Sequence, residues 1–481
     1  MSGMSSLPEE ILKLVLKHVP LKDRLCSCSF VSRRMHAAAA AATEALGVWS
    51  ETQQHTASTL KWLSHHGANL TILEIRRCLQ PLQQLSCPNL LELKLLGFNV
   101  HVQLGAADGF PGVVQGCTKL TRLQLECVII DGPEDDAVLD GSLSSLVRLQ
   151  HLEVIPKARA APLEYHYAAG LSSTTLPHLQ HLSCLIVTKL SVENLMQFSC
   201  LTNLQMLDLT VADNTTAGPN SVPGLLFPAS LKTLFLSSTA EAGLLSLFPT
   251  GLQELNVDCD VHGPAEGPGS FLFGMARLQH LTDLLLAISS PVWPLACPAY
   301  SALTASSNLV NLEMVDTYFP PGIWSHVFPA AHKLPHLTCL ALRSLVDDVN
   351  HGVFFPHPEW GAADLSSLVS CCPGLCSVES MYLQPGLHVS ELHKLSALKY
   401  IDVHLASSDL LPVVEGIKGL AVATQLQSLC LDTDCAELVG AHLLPLTSLT
   451  ALSNLSCTLE SGSWRLSSEV ESAQVLHTCL W

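Results

Sequence analysis

The chain has 481 residues and a formal net charge of −18, from 42 acidic and 24 basic side chains. Such a balance repels phosphate backbones and anionic lipid, which excludes sequence-independent nucleic-acid binding and a membrane-surface role. Hydrophobic residues make up 48% and aromatics 5%, so burial must rest on aliphatic side chains, and disorder is not the expected state.

The amino terminus lacks a basic n-region, and Lys13, Lys17 and Lys22 interrupt the apolar stretch that follows. No secretory signal is expected. No uncharged apolar run reaches the length of a spanning helix, so no membrane partner is expected either. The 18 cysteines therefore read as reduced thiols in cytosol or nucleus.

Residues 1–46 form a helical leader. Ser6 with Glu9 gives a capping-box spacing, and Pro8 falls in the first turn, where its missing N–H costs nothing. Leu7, Ile11, Leu14, Val15 and Val19 follow helical spacing, and Pro20 stops the helix. A second helix is expected from Leu21-Lys22-Asp23-Arg24, and a third from Val31 into the run Ala37–Ala42, alanine being the best helix former. Residues 47–69 are a connector. Leu60, Trp62 and Leu63 precede His65, His66 and Gly67, the pattern of a helix end.

From residue 70 to 460 the chain repeats a frame of leucine, two residues, leucine, one residue, leucine. The frame opens at leucines 70, 90, 120, 149, 179, 204, 231, 252, 281, 309, 337, 375, 398, 426 and 449. These about fifteen copies lie about 27 residues apart, within the range of leucine-rich repeats. Period two within the frame predicts a short strand, and parallel neighbours need a return segment between strands. Residues 461–481 have no clear frame and form a cap or tail.

On these residues the repeat region resembles the leucine-rich-repeat family, closest to its cysteine-containing subtype. Cys87, Cys117 and Cys372 each stand three residues before a first leucine, and Cys78 takes the usual Asn/Cys position. The fold class expected is α/β: a horseshoe solenoid of leucine-rich repeats behind a small all-α domain. That small domain resembles an F-box. Leu7-Pro8-x-Glu10-Ile11, Val15-Leu16, Val19-Pro20-Leu21-Lys22-Asp23 and Val31-Ser32-Arg33-Arg34 follow the family pattern, which departs at Met35, where tryptophan is usual.

The resemblance implies that the leader holds a Skp-type adaptor and so joins a cullin–RING ubiquitin ligase, with the repeats presenting a target protein. Leu7, Pro8, Ile11, Leu16, Val19 and Val31 are the adaptor-contact candidates that it carries. A leader of this size is too small to hide its apolar surface alone, so some of these residues must meet the repeats or a partner chain. The alternative is a repeat scaffold with no ligase link, in which the leader only caps the solenoid. A docking leader would keep an apolar face open, whereas a cap would bury it on Leu60–Ile75.

Outward strand positions flank the second leucine of each frame. Charged residues there are Glu74, Glu92, Lys94, Arg122, Glu153, Asp208, Glu254, Asp283, Glu313, Glu379 and Asp402. Glu74, Glu153, Asp208, Glu313 and Asp402 are the target-binding candidates, and their charge suits a basic target segment; an acidic protein's ordinary solvated surface would look the same. Plant hormone receptors of similar architecture hold an inositol polyphosphate on a basic floor, and this floor lacks the required arginines and lysines. No cofactor is expected.

No G-x-S-x-G, P-loop or H-E-x-x-H is present. Cys26 and Cys28 near His36, and Cys371, Cys372 and Cys376, read as packing residues rather than zinc ligands. His65 and His66 suit a helix C-terminus, and His357 lies in a proline-rich loop. The chain is not expected to be an enzyme.

Overall fold

The computed structural model describes residues 7–20, 23, 32–49, 53–76, 87–96, 114, 116–128, 141–156, 179, 182–190, 198–211, 227–238, 248–259, 275–288, 297–315, 322–343, 359–384, 387, 389–405, 407–433, 435, 437–438, 440–459 and 462–467. They form two compact units, one of Met1–Thr216 with Gly224–Leu231 and one of Ala217–Pro223 with Lys232–Trp481.

In the first unit, helices α1 (Glu9–Lys17) and α2 (Arg33–Ala41) precede β1 (Ala45–Trp49) and α3 (Gln53–His66). Strands β2 (Ile72–Arg76), β3 (Glu92–Leu96), β4 (Arg122–Val128), β5 (His151–Pro156), β6 (Cys184–Leu190) and β7 (Met206–Val211) follow. Each of β1 to β7 pairs in parallel with its chain neighbours.

The second unit continues the pattern with β8 (Thr233–Ser238), β9 (Glu254–Cys259), β10 (Asp283–Ile288), β11 (Asn311–Val315) and β12 (Cys339–Arg343). After these come β13 (Ser377–Leu383), β14 (Tyr400–Leu405), β15 (Ser428–Thr433) and β16 (Asn454–Leu459). These nine strands are parallel as well. A final strand, β17 (Gly462–Ser467), turns back antiparallel on β16 and covers its edge. The returns carry helices α4 (Trp324–Val327), α5 (Ala362–Cys371) and α6 (Leu410–Leu420), with short 3-10 turns between others.

One local device recurs through both units. The N–H of each frame's first leucine donates to the carbonyl three residues back, as Leu120 does to Cys117 at 2.9 Å and Leu398 to Leu395 at 3.0 Å. The next two N–H groups then share one carbonyl of the preceding strand: Thr121 and Arg122 both donate to Leu91 at 2.9 Å. That turn aims the second and third leucines inward. Leu120, Leu123 and Leu125 are buried, and so are Leu398, Ile401 and Val403. Parallel pairing leaves no short connection, so the chain must return outside the sheet before each new strand.

Two expected frames move by three residues. Leu152 pairs with Leu185, and it is Leu182 that closes the turn, onto Leu179. Likewise Leu429 pairs with Leu455, and Leu452 closes onto Leu449. At both places two overlapping leucine frames compete. A carbonyl before the neighbouring strand decides between them: Gln150 accepts from the Ser183 and Cys184 N–H groups, and Gln427 from those of Ser453 and Asn454.

The copy at Leu375 is irregular for a different reason. Val378 pairs with Ile401, but Met381 rather than Ser380 pairs with Val403. The extra residue is a β-bulge, and Ser380 sits in the left-handed region at φ 57. Upstream, β1 falls across the expected boundary at residue 46. Leu46 pairs with Leu73, so the sheet begins one strand before the first expected repeat. Downstream, β17 occupies part of the expected 461–481 tail.

Candidate functional site

The leader is built on a small internal core. Leu12 and Leu16 of α1 pack with Met35, Ala38, Ala39 and Ala42, and Val19 lies partly buried against them. Alanine side chains on α2 let the two helices approach closely. Ser32 caps α2 by accepting a hydrogen bond from the Met35 N–H at 3.1 Å. On α1 the N-cap is Pro8, which makes no side-chain cap bond; Ser6 lies outside the described residues.

The opposite side of α1 is apolar and open. Ile11, Leu14 and Val15 are 44%, 55% and 37% exposed. Of the six adaptor-contact candidates, Pro8 and Ile11 are on the surface, and Leu7 is half-buried. Leu16 points into the leader's own core, and Val19 leans on that core. Val31 lies outside the described residues. Helical geometry explains the division: Leu12 and Leu16 are four apart and share one face, whereas Ile11, Leu14 and Val15 share another.

The leader's contacts within itself and with α3 leave the open strip exposed. Lys17 pairs with Glu44. The rings of His36 on α2 and His66 on α3 lie edge to face, 5.4 Å apart. Arg34 donates to the Leu7 carbonyl, tying α2 to the start of α1.

Outward side chains on the first unit's sheet largely neutralise one another. Glu74 pairs with Arg76 on its own strand. Glu92 meets Lys94 at 3.1 Å and Arg122 of β4 at 3.7 Å. Gln124 donates to Glu153 at 3.1 Å, and the His151 ring stands 3.6 Å from the same carboxylate. Burial, and then the charge of Glu153, push the Asp208 carboxyl above its ordinary range.

On the second unit's sheet the distribution differs. Thr233 donates to Glu254 at 3.3 Å, and Asn311 donates to Asp283. Arg343 at the end of β12 bridges Glu313 and Glu379, each at 3.0 Å. Past it, β14 turns Tyr400, Asp402 and His404 to the same face, all half-buried. His404 lies 3.0 Å from Asp432 of β15, and its ring packs on Tyr382 at 4.6 Å. Burial raises the Asp402 carboxyl, although Cys430 and Ser380 hydrogen-bond to it. Burial also lifts the Tyr400 hydroxyl to about 12 and the Cys430 thiol to about 11.

Leu12, Tyr382, His404 and Asp432 are not among the residues expected from the sequence. Two outward places flank the second leucine, yet a strand has a third, just after the last leucine. Arg76, Arg343, His404 and Asp432 stand there, and alternation alone could have found them.

The remaining chemistry is quiet. Cys87, Cys117, Cys371 and Cys372 are buried free thiols, and burial pushes Cys87 to about 11 and Cys117 to about 12. No group of three or more His, Cys, Asp or Glu among the described residues is placed to hold a metal. Cys26, Cys28 and His357 lie outside those residues. Among the described residues no helix is long and apolar enough to cross a membrane.

Residues 4–40 match the F-box domain family. The molecule is thus a helical F-box leader followed by parallel leucine-rich repeats. No curated protein sequence matches the chain. Among solved structures, an internalin from Listeria monocytogenes aligns over 93% of each chain at 15% identity, with a TM-score of 0.42. The repeat architecture itself stands on the strand register and the recurring turn.

Proposed function

We propose that this chain is the substrate-recognition adaptor of a cullin–RING ubiquitin ligase. Its leader docks a Skp-type adaptor, and its sheet faces hold a target protein with a basic segment. The observation that carries this reading is the open strip of Ile11, Leu14 and Val15 on a leader that already has its own core and matches the F-box family. A cap would have spent that strip on the first repeats.

The chain would do no bond chemistry itself. It would hold a target beside a ubiquitin-charged enzyme, where tethering raises the effective concentration of the target's lysines. Glu74, Glu153, Asp208, Glu313 and Asp402 are the target-facing acids in this reading. The cytosol or nucleus is the place of action, in keeping with the free thiols of the described cysteines.

The test is co-purification of the full chain with a Skp-type adaptor, beside an Ile11→Asp, Leu14→Asp double variant. The expected result is a stable complex with the parent, lost in the variant while its circular dichroism is unchanged. A folded parent that fails to bind would make the chain a plain repeat scaffold with no ligase link.

A further inference from the structure

An imidazole, a thiol and a thioether stand side by side on the outward face of the first unit's sheet. The register sets His151 of β5 opposite Cys184 of β6, and Cys184 opposite Met206 of β7. Each occupies the outward place just before the second leucine of its frame, and each is half-buried. Neighbouring strands lie about 4.8 Å apart, so the three side chains share one short row.

The Cys184 thiol donates to the Met206 Sδ at 3.7 Å. Two sulfurs each about 2.3 Å from one trigonal metal would lie about 4 Å apart, so this pair already stands near a chelating distance. His151 is the third member of the row. Its Nε2 is buried and has no hydrogen-bond partner among the described residues; the Glu153 carboxylate, at 3.6 Å, is too far for one. Burial, and then the charge of Arg122, hold the imidazole below its ordinary pKa, which keeps it neutral and able to offer a lone pair. Arg122, opposite His151 on β4, is itself 3.7 Å from Glu92.

The third ligand decides the metal. Among the described residues no third His, Cys, Asp or Glu joins His151 and Cys184 in a metal-holding group, so the set closes on a thioether. Zinc takes thiolate, imidazole and carboxylate, whereas thiolate and thioether together select Cu(I). We propose that His151, Cys184 and Met206 form a binding site for a monovalent copper ion. Binding moves one proton from the Cys184 thiol to solvent and changes no oxidation state, and the thiolate then cancels the charge of the metal. The site goes beyond the ligase reading and depends on no part of it.

Competition for Cu(I) against bicinchoninate, on the full reduced chain without oxygen and read by the colour of the chelate, tests this. The parent is expected to withdraw copper from the chelate. Cys184→Ser and, separately, Met206→Leu should each weaken that withdrawal roughly tenfold or more, the loss that even an outer partner of a metal site brings. Met206→Leu conserves side-chain volume and so keeps the fold. Cys430→Ser, at an outward place between Asp402 and Ser456, should leave the affinity unchanged. A folded parent that withdraws no copper, or an affinity that Met206→Leu leaves intact, would overturn the proposal. So would uptake that survives Cys184→Ser, which would assign the copper to others of the 18 cysteines.

Discussion

The leader and the repeats use the same aliphatic residues to opposite ends. In the repeats the frame leucines are sealed by the neighbouring strand on each side, and Leu90, Leu123, Leu207, Leu340 and Leu429 are all buried. In the leader two helices close a core of a few residues and leave Ile11, Leu14 and Val15 in water. Stacking explains the difference. A repeat borrows its missing partner from the next copy, whereas the leader has no next copy; the helix expected from Leu21 lies mostly outside the described residues. In the proposed reading, what is left open on the leader docks another chain.

The contrast can be broken by experiment. Leu123→Ala should cost the most, about 3–4 kcal/mol in urea unfolding, because the stacked core cannot collapse into the hole. Leu12→Ala should cost less, about 2–3 kcal/mol, and the loss should appear in hydrogen exchange of leader amides while the repeat strands stay protected. Equal loss of protection across the repeats would show that leader and solenoid share one core.

Ser380→Gly should raise stability by about 1 kcal/mol, since glycine takes the left-handed bulge position without strain. Thermal melts of the two chains would read the gain, and a lower melting point would mean that the Ser380 hydroxyl, 3.4 Å from Asp402, matters more than the backbone. Smallest of all on stability, Ile11→Ser with Leu14→Ser should stay within about 0.5 kcal/mol of the parent, though it removes much of the open strip. A large loss of stability from that pair would place the strip inside the fold rather than on a docking surface.

Much of this fold is legible in the residues because its rules are local. Leucine at intervals of three and then two demands a turn followed by a strand; the copies obey except at Leu179 and Leu449, where the frame moves by three residues, and at Leu375, where a bulge intervenes. Cys87, Cys117 and Cys372 occupy the turn place that their spacing indicates, and each carbonyl accepts from the following leucine. The leader's helices are equally local: helical apolar spacing, the alanine run and Ser32 at the N-cap suffice. The candidate acids were legible as outward positions, but not their partners. Cross-strand neighbours such as Arg343 and Glu379 are 36 residues apart, and no local rule joins them.

The sequence by itself determined the repeat, its direction of burial, the acidic character of its surface and the F-box pattern of its leader. Only the tertiary structure decided which of two overlapping frames forms β6 and β16, where the bulge falls in β13, and which face of α1 turns inward. The physical reason is common to all three. Each choice is nearly degenerate within its own segment, and it is settled by a neighbour: a preceding strand's carbonyl for the frames, β14 for the bulge, and the alanine face of α2 for the leader.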